Sequence, residues 1–548
     1  MLSRRAALAL LVPTLGVLLG YVVWPNLATF RLGLDAALLA DLFGSARAAG
    51  TRALLNSVLV SLGTVVCAGL IGTGLAWALA RYRLPFGGAL QVAAALPLAL
   101  PPLVGVLAFV FLYSETGMLP RVLQATLGTG EAPFALRGRT AVLAVHTYVF
   151  YVYFYLFVAA ALRDLDGSLL DAAADLGASR WQTTRDVVLP YLRPALTGAA
   201  LLVFMLSMAS FTAPLLFAEG EPFLTTQIYQ FKLNGALDRA AAVSLVLTAI
   251  CLLFLAGAEA GRPGSRSGTK GTPRPPQPLR GPARTTAGVL VAGALALLLL
   301  PVATVVLLSF VAEGSWTVQV FPDRFTLANY ADLFQQEGVF APIRHSAWMA
   351  TLATAANVAF GVAAALVVAK SRVPGRGLVR ALALLPFAIP GTVIALGLIV
   401  AFSEPRVLAG GALLIGTVWL LPLAYFVRHV PLVVRSTQAA LETFDDRLAE
   451  ASADLGARGR TTFRRVVLPA IAPGVLAGTL LTFVTALGEF VSSIMLYVFA
   501  NRPIAVEIFA QLRLGAVGRA AAYSVFLMVL VALAVVAARA LGGRLRAS

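Results

Sequence analysis

Asp171-Ala-Ala-Ala-Asp-Leu-Gly-Ala178 and Glu450-Ala-Ser-Ala-Asp-Leu-Gly-Ala457 are two versions of one segment. The first is followed by Val187-Val-Leu-Pro190 and Pro194, the second by Val466-Val-Leu-Pro469 and Pro473, and every position in the second copy lies 279 residues after its partner. The likeness extends in both directions. Upstream, Arg81-Tyr-Arg-Leu-Pro85 matches Lys370-Ser-Arg-Val-Pro374, and downstream Arg239-Ala-Ala-Ala242 matches Arg519-Ala-Ala-Ala522. The chain is therefore a duplication that covers nearly all of each half.

What is duplicated follows from composition. Of 548 residues, 59% are hydrophobic and 12% charged, and the mean hydropathy is +0.87. A soluble chain is nearer half apolar and a quarter charged, so a soluble multidomain enzyme is excluded. Apolar runs long enough to cross a bilayer lie at 6–24, 54–80, 89–112, 140–162, 195–217 and 240–260, and again at 285–311, 346–369, 378–402, 410–432, 473–499 and 519–541. Backbone polar groups cannot be left bare in lipid, and the runs lack β-alternation, so they are read as helices. The expected fold is an all-α integral membrane protein of about twelve transmembrane helices in two six-helix repeats. Six is even, so both copies enter from the same side and the repeat is parallel, related by an axis along the membrane normal. The domains read as 1–260, a linker at 261–284 and 285–548. The linker holds six prolines, five glycines, six basic residues and no acid, the composition of a tether.

The net charge is +17, but the basic residues sit between apolar runs instead of on a nucleic-acid-binding face. With the N-terminus inside, the loops on that side hold 28 of the 42 Lys and Arg, which places both termini in the cytoplasm. The run at 6–24 exceeds a usual signal-peptide core and has no clear cleavage site after it, so it reads as a retained helix. Cys67 and Cys251 fall inside apolar runs and read as small buried hydrophobes. His146, His345 and His429 are scattered, without HExxH or CxxC, so no metal site is expected.

By this topology the duplicated loops, 163–194 and 433–472, are cytoplasmic. Asp171 and Glu450 are read near a helix start, where negative charge suits the dipole. Ala172, Ala173 and Ala451 favour helix, Gly177 and Gly456 allow a sharp turn, and Pro190 and Pro469 mark the return to the membrane.

These residues resemble the EAA loop of ABC importer permeases of the type I fold: Glu-Ala-Ala, three residues, Gly, about nine residues, then hydrophobic-x-Leu-Pro. Asp171 stands for the usual Glu in the first copy and Ser452 for the second Ala in the second. Phe325-Thr-Leu-Ala-Asn-Tyr330 is similar to the extracytoplasmic segment before the permease core, and Ala486-Leu-Gly-Glu-Phe490 to an intramembrane element of the class. The resemblance implies that Asp171, Ala172, Ala173, Gly177, Pro190, Glu450, Ala451, Gly456 and Pro469 form helices that dock on two cytoplasmic ATPase subunits. It implies an extracytoplasmic substrate-binding protein, and a place in the bacterial cytoplasmic membrane. The fused form resembles permeases for ferric iron and thiamine, and Pro101-Pro-Leu-Val-Gly-Val-Leu-Ala-Phe109 with Ser210-Phe-Thr-Ala-Pro214 leans to iron(III). Thiamine, polyamine and a phosphonate stay open as cargo.

No GxxxxGK[ST] is present, so this chain does not cradle ATP, and ATP and magnesium are expected on the partners. Glu489 is read within the eleventh helix, where an ionisable side chain is costly and marks either the path or a hydrogen bond to a neighbour. Its counterpart is Ser210, so any site there is not strictly symmetric. His146 reads as a polar contact between helices. Pro97, Pro101 and Pro102, paired with Pro386 and Pro390, read as kinks, and the Tyr148–Tyr155 cluster as an interfacial belt. Two rivals were weighed. An ion-driven carrier also uses parallel repeats but wants charged core helices. A membrane-embedded enzyme wants convergent His, Asp or Glu at one depth. Apart from Glu489 the cores are nearly free of charge and the carrier leaves the duplicated loop unexplained, and the sequence shows no convergent set for the enzyme.

Overall fold

The computed structural model describes residues 4–260, 275–316 and 319–547. Residues 261–274 of the expected linker lie outside the described part. The architecture is all-α. Ten described helices are long and apolar enough to cross a membrane, or eleven if the bent pair Arg376–Ala388 and Gly391–Ala401 is one span. That is below the expected twelve, and the shortfall has a local cause. The run expected at 410–432 starts later, as the helix Leu420–Thr443, and Arg428, His429 and Arg435 lower its apolarity. It is nevertheless the counterpart of Gly138–Asp164 in the first half.

The helices follow from their composition, with the polarity of a soluble protein reversed. In Ala49–Arg81, Asn56, Ser57, Ser61 and Thr64 are buried, whereas Leu59, Leu62, Val66 and Leu70 are exposed. Small polar residues permit close helix approach, and the large apolar ones suit lipid. This helix packs along Gly138–Asp164, as Glu337–Lys370 packs along Leu420–Thr443 in the second half.

Two proline steps break the helices nearest the axis. Leu96–Ala99 gives way to Pro102–Tyr113 at Pro101, and Arg376–Ala388 to Gly391–Ala401 at Pro390, with a bend of 110°. Proline has no N–H to donate and restricts the residue before it, so both breaks fall where the ring requires them.

Each half lends its first helix to the other. Tyr21 stacks on Phe402 at 6.1 Å and donates to the Leu408 carbonyl at 2.5 Å. In return Tyr148 donates to the Leu298 carbonyl, on the helix Pro282–Leu308, at 2.8 Å. Tyr148, Tyr151 and Tyr155 are buried, and Tyr151 donates to the Ala94 carbonyl at 2.9 Å. The tyrosines read as an interfacial belt are therefore internal struts. His146 does make the expected interhelical contacts, and Cys67 and Cys251 are free thiols.

Described strand structure amounts to one short parallel pairing, Tyr82–Arg83 with Gln277–Pro278. It pins the end of the linker beside a shallow cleft whose lining includes Trp77, Arg81, Leu170, Val188 and Pro275.

Candidate functional site

Two regions carry the residues singled out from the sequence. The first is the pair of duplicated loops. Asp166 caps the helix Gly167–Asp175, accepting from the Ser168 N–H at 3.0 Å. Asp445 caps Asp446–Asp454, accepting from the Arg447 N–H at 3.0 Å. Asp171 and Glu450 are thus the fifth residues of their helices, not members of the first turn. The dipole argument belongs to Asp166 and Asp445 instead, and S/T/D/N capping preference would have found them.

Gly177 and Gly456 end these helices at φ +79° and +81°, the left-handed conformation that an L side chain resists. A second short helix follows in each copy, Arg180–Thr183 and Gly459–Thr462, and then a π-turn, Thr184–Val188 and Phe463–Val467. Pro190 and Pro469 sit second in the next helices, Leu189–Met208 and Leu468–Leu487. The two π-turns loosen the hydrogen-bond ladder just before a residue with no N–H to contribute. Asp171, Ala172, Glu450 and Ala451 are exposed, and Ala173 is half-buried. Leu176 and Leu455, beside the turns, are 89% and 90% exposed. Each loop is a two-helix knob with an apolar tip facing outward.

The knobs are anchored differently. Lys370 pairs with Asp446 at 2.7 Å, at the start of the second knob. In the first copy Gly167 takes the place of Asp446, and the linker end lies over Leu170 instead.

The second region is the break after the helices that lead away from the knobs. Ser210 follows Leu189–Met208, and Glu489 follows Leu468–Leu487 and precedes Val491–Leu496. Glu489 lies at this break, not within a continuous helix. Phe211 and Phe490, the residues after them, approach across the two halves at 6.1 Å between ring centroids. Phe211 also meets Tyr229 at 5.3 Å, and Phe490 meets Phe509 at 5.6 Å. The four rings form a symmetric row, and Phe211 and Phe490 mark the repeat axis. Both are buried.

Beside this row the halves diverge. In the first, His146 Nδ1 bonds Ser207 Oγ at 2.9 Å and Nε2 bonds Ser210 Oγ at 2.8 Å. In the second, Arg428 Nε pairs with Glu489 Oε2 at 3.0 Å, and Glu489 Oε1 accepts from the Ser492 N–H at 2.9 Å. Ser493 Oγ donates to the Glu489 carbonyl and meets Tyr425 OH at 2.7 Å. Ser210 and Glu489 therefore flank the meeting rings, each one 20-residue helix away from its knob. Arg428 was missed because it was counted only as a loop charge, although it lies mid-helix.

Outside the spans, Asn329 of the segment Phe325–Tyr330 donates to the Ser309 and Val311 carbonyls, both at 2.9 Å. Tyr330 OH donates to Ser309 Oγ at 2.6 Å, and burial raises its phenol above the ordinary pKa. The segment ties itself to the first helix of the second half.

Duplicated membrane helices, paired knobs and a row of rings where the halves meet describe a membrane protein built of two fused, similar units. The family described as the inner membrane component of binding-protein-dependent transport systems matches residues 70–260 and 357–547, and the chain belongs to that family, once in each half. It is 32% identical to a probable ABC transporter permease of Sinorhizobium fredii over 91% of this chain and 87% of that one. It is 28% identical to a ferric transport system permease of Actinobacillus pleuropneumoniae over 87% of this chain and 69% of that one. A sulfate transport system permease of Salmonella typhimurium is 36% identical over 30% of this chain and 61% of its own. The chain is an ABC transporter permease, and this family membership displaces the ion-driven carrier and the membrane enzyme.

Proposed function

We propose that this chain forms the whole translocation path of an importer in the bacterial cytoplasmic membrane, with both termini in the cytoplasm, and carries iron(III) inward. Two ATPase subunits bind the knobs at Asp171–Gly177 and Glu450–Gly456, and a binding protein delivers cargo to the opposite face. ATP and magnesium belong to those subunits, since this chain has no phosphate-cradling loop. The observation that carries the reading is the pair of knobs. They share one construction, and exposed Leu176 and Leu455 would each fill an apolar groove on a partner.

Closure of the ATPase pair moves the knobs. Each knob runs through its short helix and π-turn into the helix that ends at Ser210 or Glu489. The motion therefore reaches the ring row directly, and the two halves rock about it. Rocking requires that the two states bind their partners with different affinity. Iron is favoured because the ferric permease matches most of this chain, while the sulfate permease matches under a third.

The experiment is co-purification of the chain with candidate ATPase subunits, wild type against Gly177→Asp with Gly456→Asp. Neither turn has a neighbour near an added Cβ, but both lie at positive φ, so an aspartate strains each turn by about 1–2 kcal/mol; circular dichroism checks that the membrane helices stay folded, and the expected result is loss of the ATPase. Equal recovery with both proteins would reject the knobs as the docking site. Uptake of labelled iron by the assembled complex then tests the cargo, and uptake of thiamine, polyamine or phosphonate in its place would reassign it.

A further inference from the structure

The charged second-half break holds more than an ion pair. Arg428 Nη1, Thr392 Oγ1 and Ser492 Oγ are buried and lack a hydrogen-bond partner. Thr392 and Ser492 are fully buried. The three groups belong to one locality. Arg428 reaches so close to Gly391 that a Cβ there would overlap the guanidinium. Thr392 is the next residue along, and Ser492 gives its N–H to the same carboxylate that holds Arg428. Gly391 and Thr392 also open the helix Gly391–Ala401, whose first N–H groups have no partner within the helix and carry its positive end.

Aligning the repeats on Pro101 with Pro390, and on Ser210-Phe211 with Glu489-Phe490, shows that the first half has a matching helix start but lacks the three side-chain donors. Pro102 stands for Gly391, Leu103 for Thr392, Val149 for Arg428, Ser210 for Glu489 and Ala213 for Ser492. Five positions in three segments change together, and three of them replace apolar Leu103, Val149 and Ala213 by the donors Thr392, Arg428 and Ser492. Leaving buried polar groups unmet is costly, so a cluster of three is expensive unless something accepts from it.

We propose that this niche, lined by Arg428, Thr392 and Ser492, receives an anionic oxygen of the cargo. The inference rests on the reading of Ser210 and Glu489 as the path. It narrows the cargo class. Glu489 is engaged on both oxygens, and no group of three or more His, Cys, Asp or Glu placed to hold a metal occurs among the described residues. The niche offers donors, so a cation crosses in company with an oxygen-anion ligand, or the cargo is itself an oxyanion. Gly391 is a specificity position because any side chain there evicts the guanidinium.

The test uses the full chain in lipid nanodiscs and follows thermal unfolding with added sodium sulfate, ferric citrate or citrate alone, against sodium chloride at equal ionic strength. A ligand of the folded state raises the midpoint saturably. Sulfate stabilisation identifies a free oxyanion, and stabilisation by ferric citrate but not by citrate identifies an anion travelling with the metal. Either supports the niche if Thr392→Val with Ser492→Ala, which leaves the Arg428–Glu489 pair in place, weakens the response by about tenfold or more for each hydroxyl removed, as for the loss of hydrogen bonds to charge. Arg428→Lys should keep a reduced response. No stabilisation of the wild type by any of the three, or an equal response from the hydroxyl variant, overturns the proposal. No ATPase takes part, so this result is independent of whether the knobs dock.

Discussion

The knobs and the axial break are both duplicated, yet one pair has stayed alike and the other has not. Gly177 and Gly456 adopt nearly the same φ, and the caps, short helices and π-turns recur in register. At the break, Phe211 and Phe490 are retained while the residues around them exchange a His–Ser set for an Arg–Glu pair. Two knobs that face like partners must present like surfaces. If the break lines the path, as proposed above, a single path has no such requirement, because one cargo would touch both walls at once. Symmetry is kept where two sites are needed and relaxed where there is one.

The largest expected effect lies on the symmetric part of the break. Phe211→Ala and Phe490→Ala each remove a buried ring, at a cost of about 3–5 kcal/mol. Each ring has an aromatic neighbour in its own half and one across the axis, so the two losses should be equal. Thermal unfolding in nanodiscs measures both. The same variants should leak small solutes across proteoliposomes without ATP. A large difference between them would move the axis away from these rings.

The next effect probes the asymmetric part. Arg428→Gln leaves Glu489 buried without its cation, and breaking such a pair costs about 3 kcal/mol. Arg428 is 28% exposed, which puts the loss at the low end. Val149→Gln, at the matching first-half position, removes no ion pair and should cost less. The double variant Arg428→Gln with Glu489→Gln should recover most of the loss, since the stranded charge is gone. A double variant as unstable as the single one would mean that packing, not charge, sets the value of the pair.

How much of this was legible depends on what the repeat preserved. The knobs could be read because their residues recur at one offset. The membrane class could be read from hydropathy. Asp166 and Asp445 were hidden as caps because the acids that mark the repeat, Asp171 and Glu450, lie five residues on in each copy. The partner of Glu489 was hidden because Arg428 lies 61 residues away, and no local pattern joins the two. Contacts between halves, such as Tyr21 with Phe402, have no sequence signature at all. One further signal was overlooked. Ala40-Asp41-Leu42-Phe43 and Ala331-Asp332-Leu333-Phe334 are the same four residues, at an offset other than that of the knobs.

Those four residues give the smallest prediction. In each half the aspartate reaches the arginine that opens the last helix, Arg239 to Asp41 at 3.1 Å and Arg519 to Asp332 at 3.5 Å. The shorter contact is the more exposed, with side chains 45% and 60% accessible against 27% and 28%. Distance alone would rank the first-half pair stronger. Exposure reverses the order, because water and salt screen an accessible pair. Asp41→Asn should therefore cost a few tenths of a kcal/mol, and Asp332→Asn about 1 kcal/mol. Arg519 keeps a second carboxylate, Glu313 at 3.7 Å, which limits the second loss. Unfolding midpoints at low and high sodium chloride separate the two: the Asp41→Asn difference should vanish in high salt while part of the Asp332→Asn difference remains. If the two substitutions cost the same and fade together, the halves are as alike at this end as they are at the knobs, and their divergence is confined to the path.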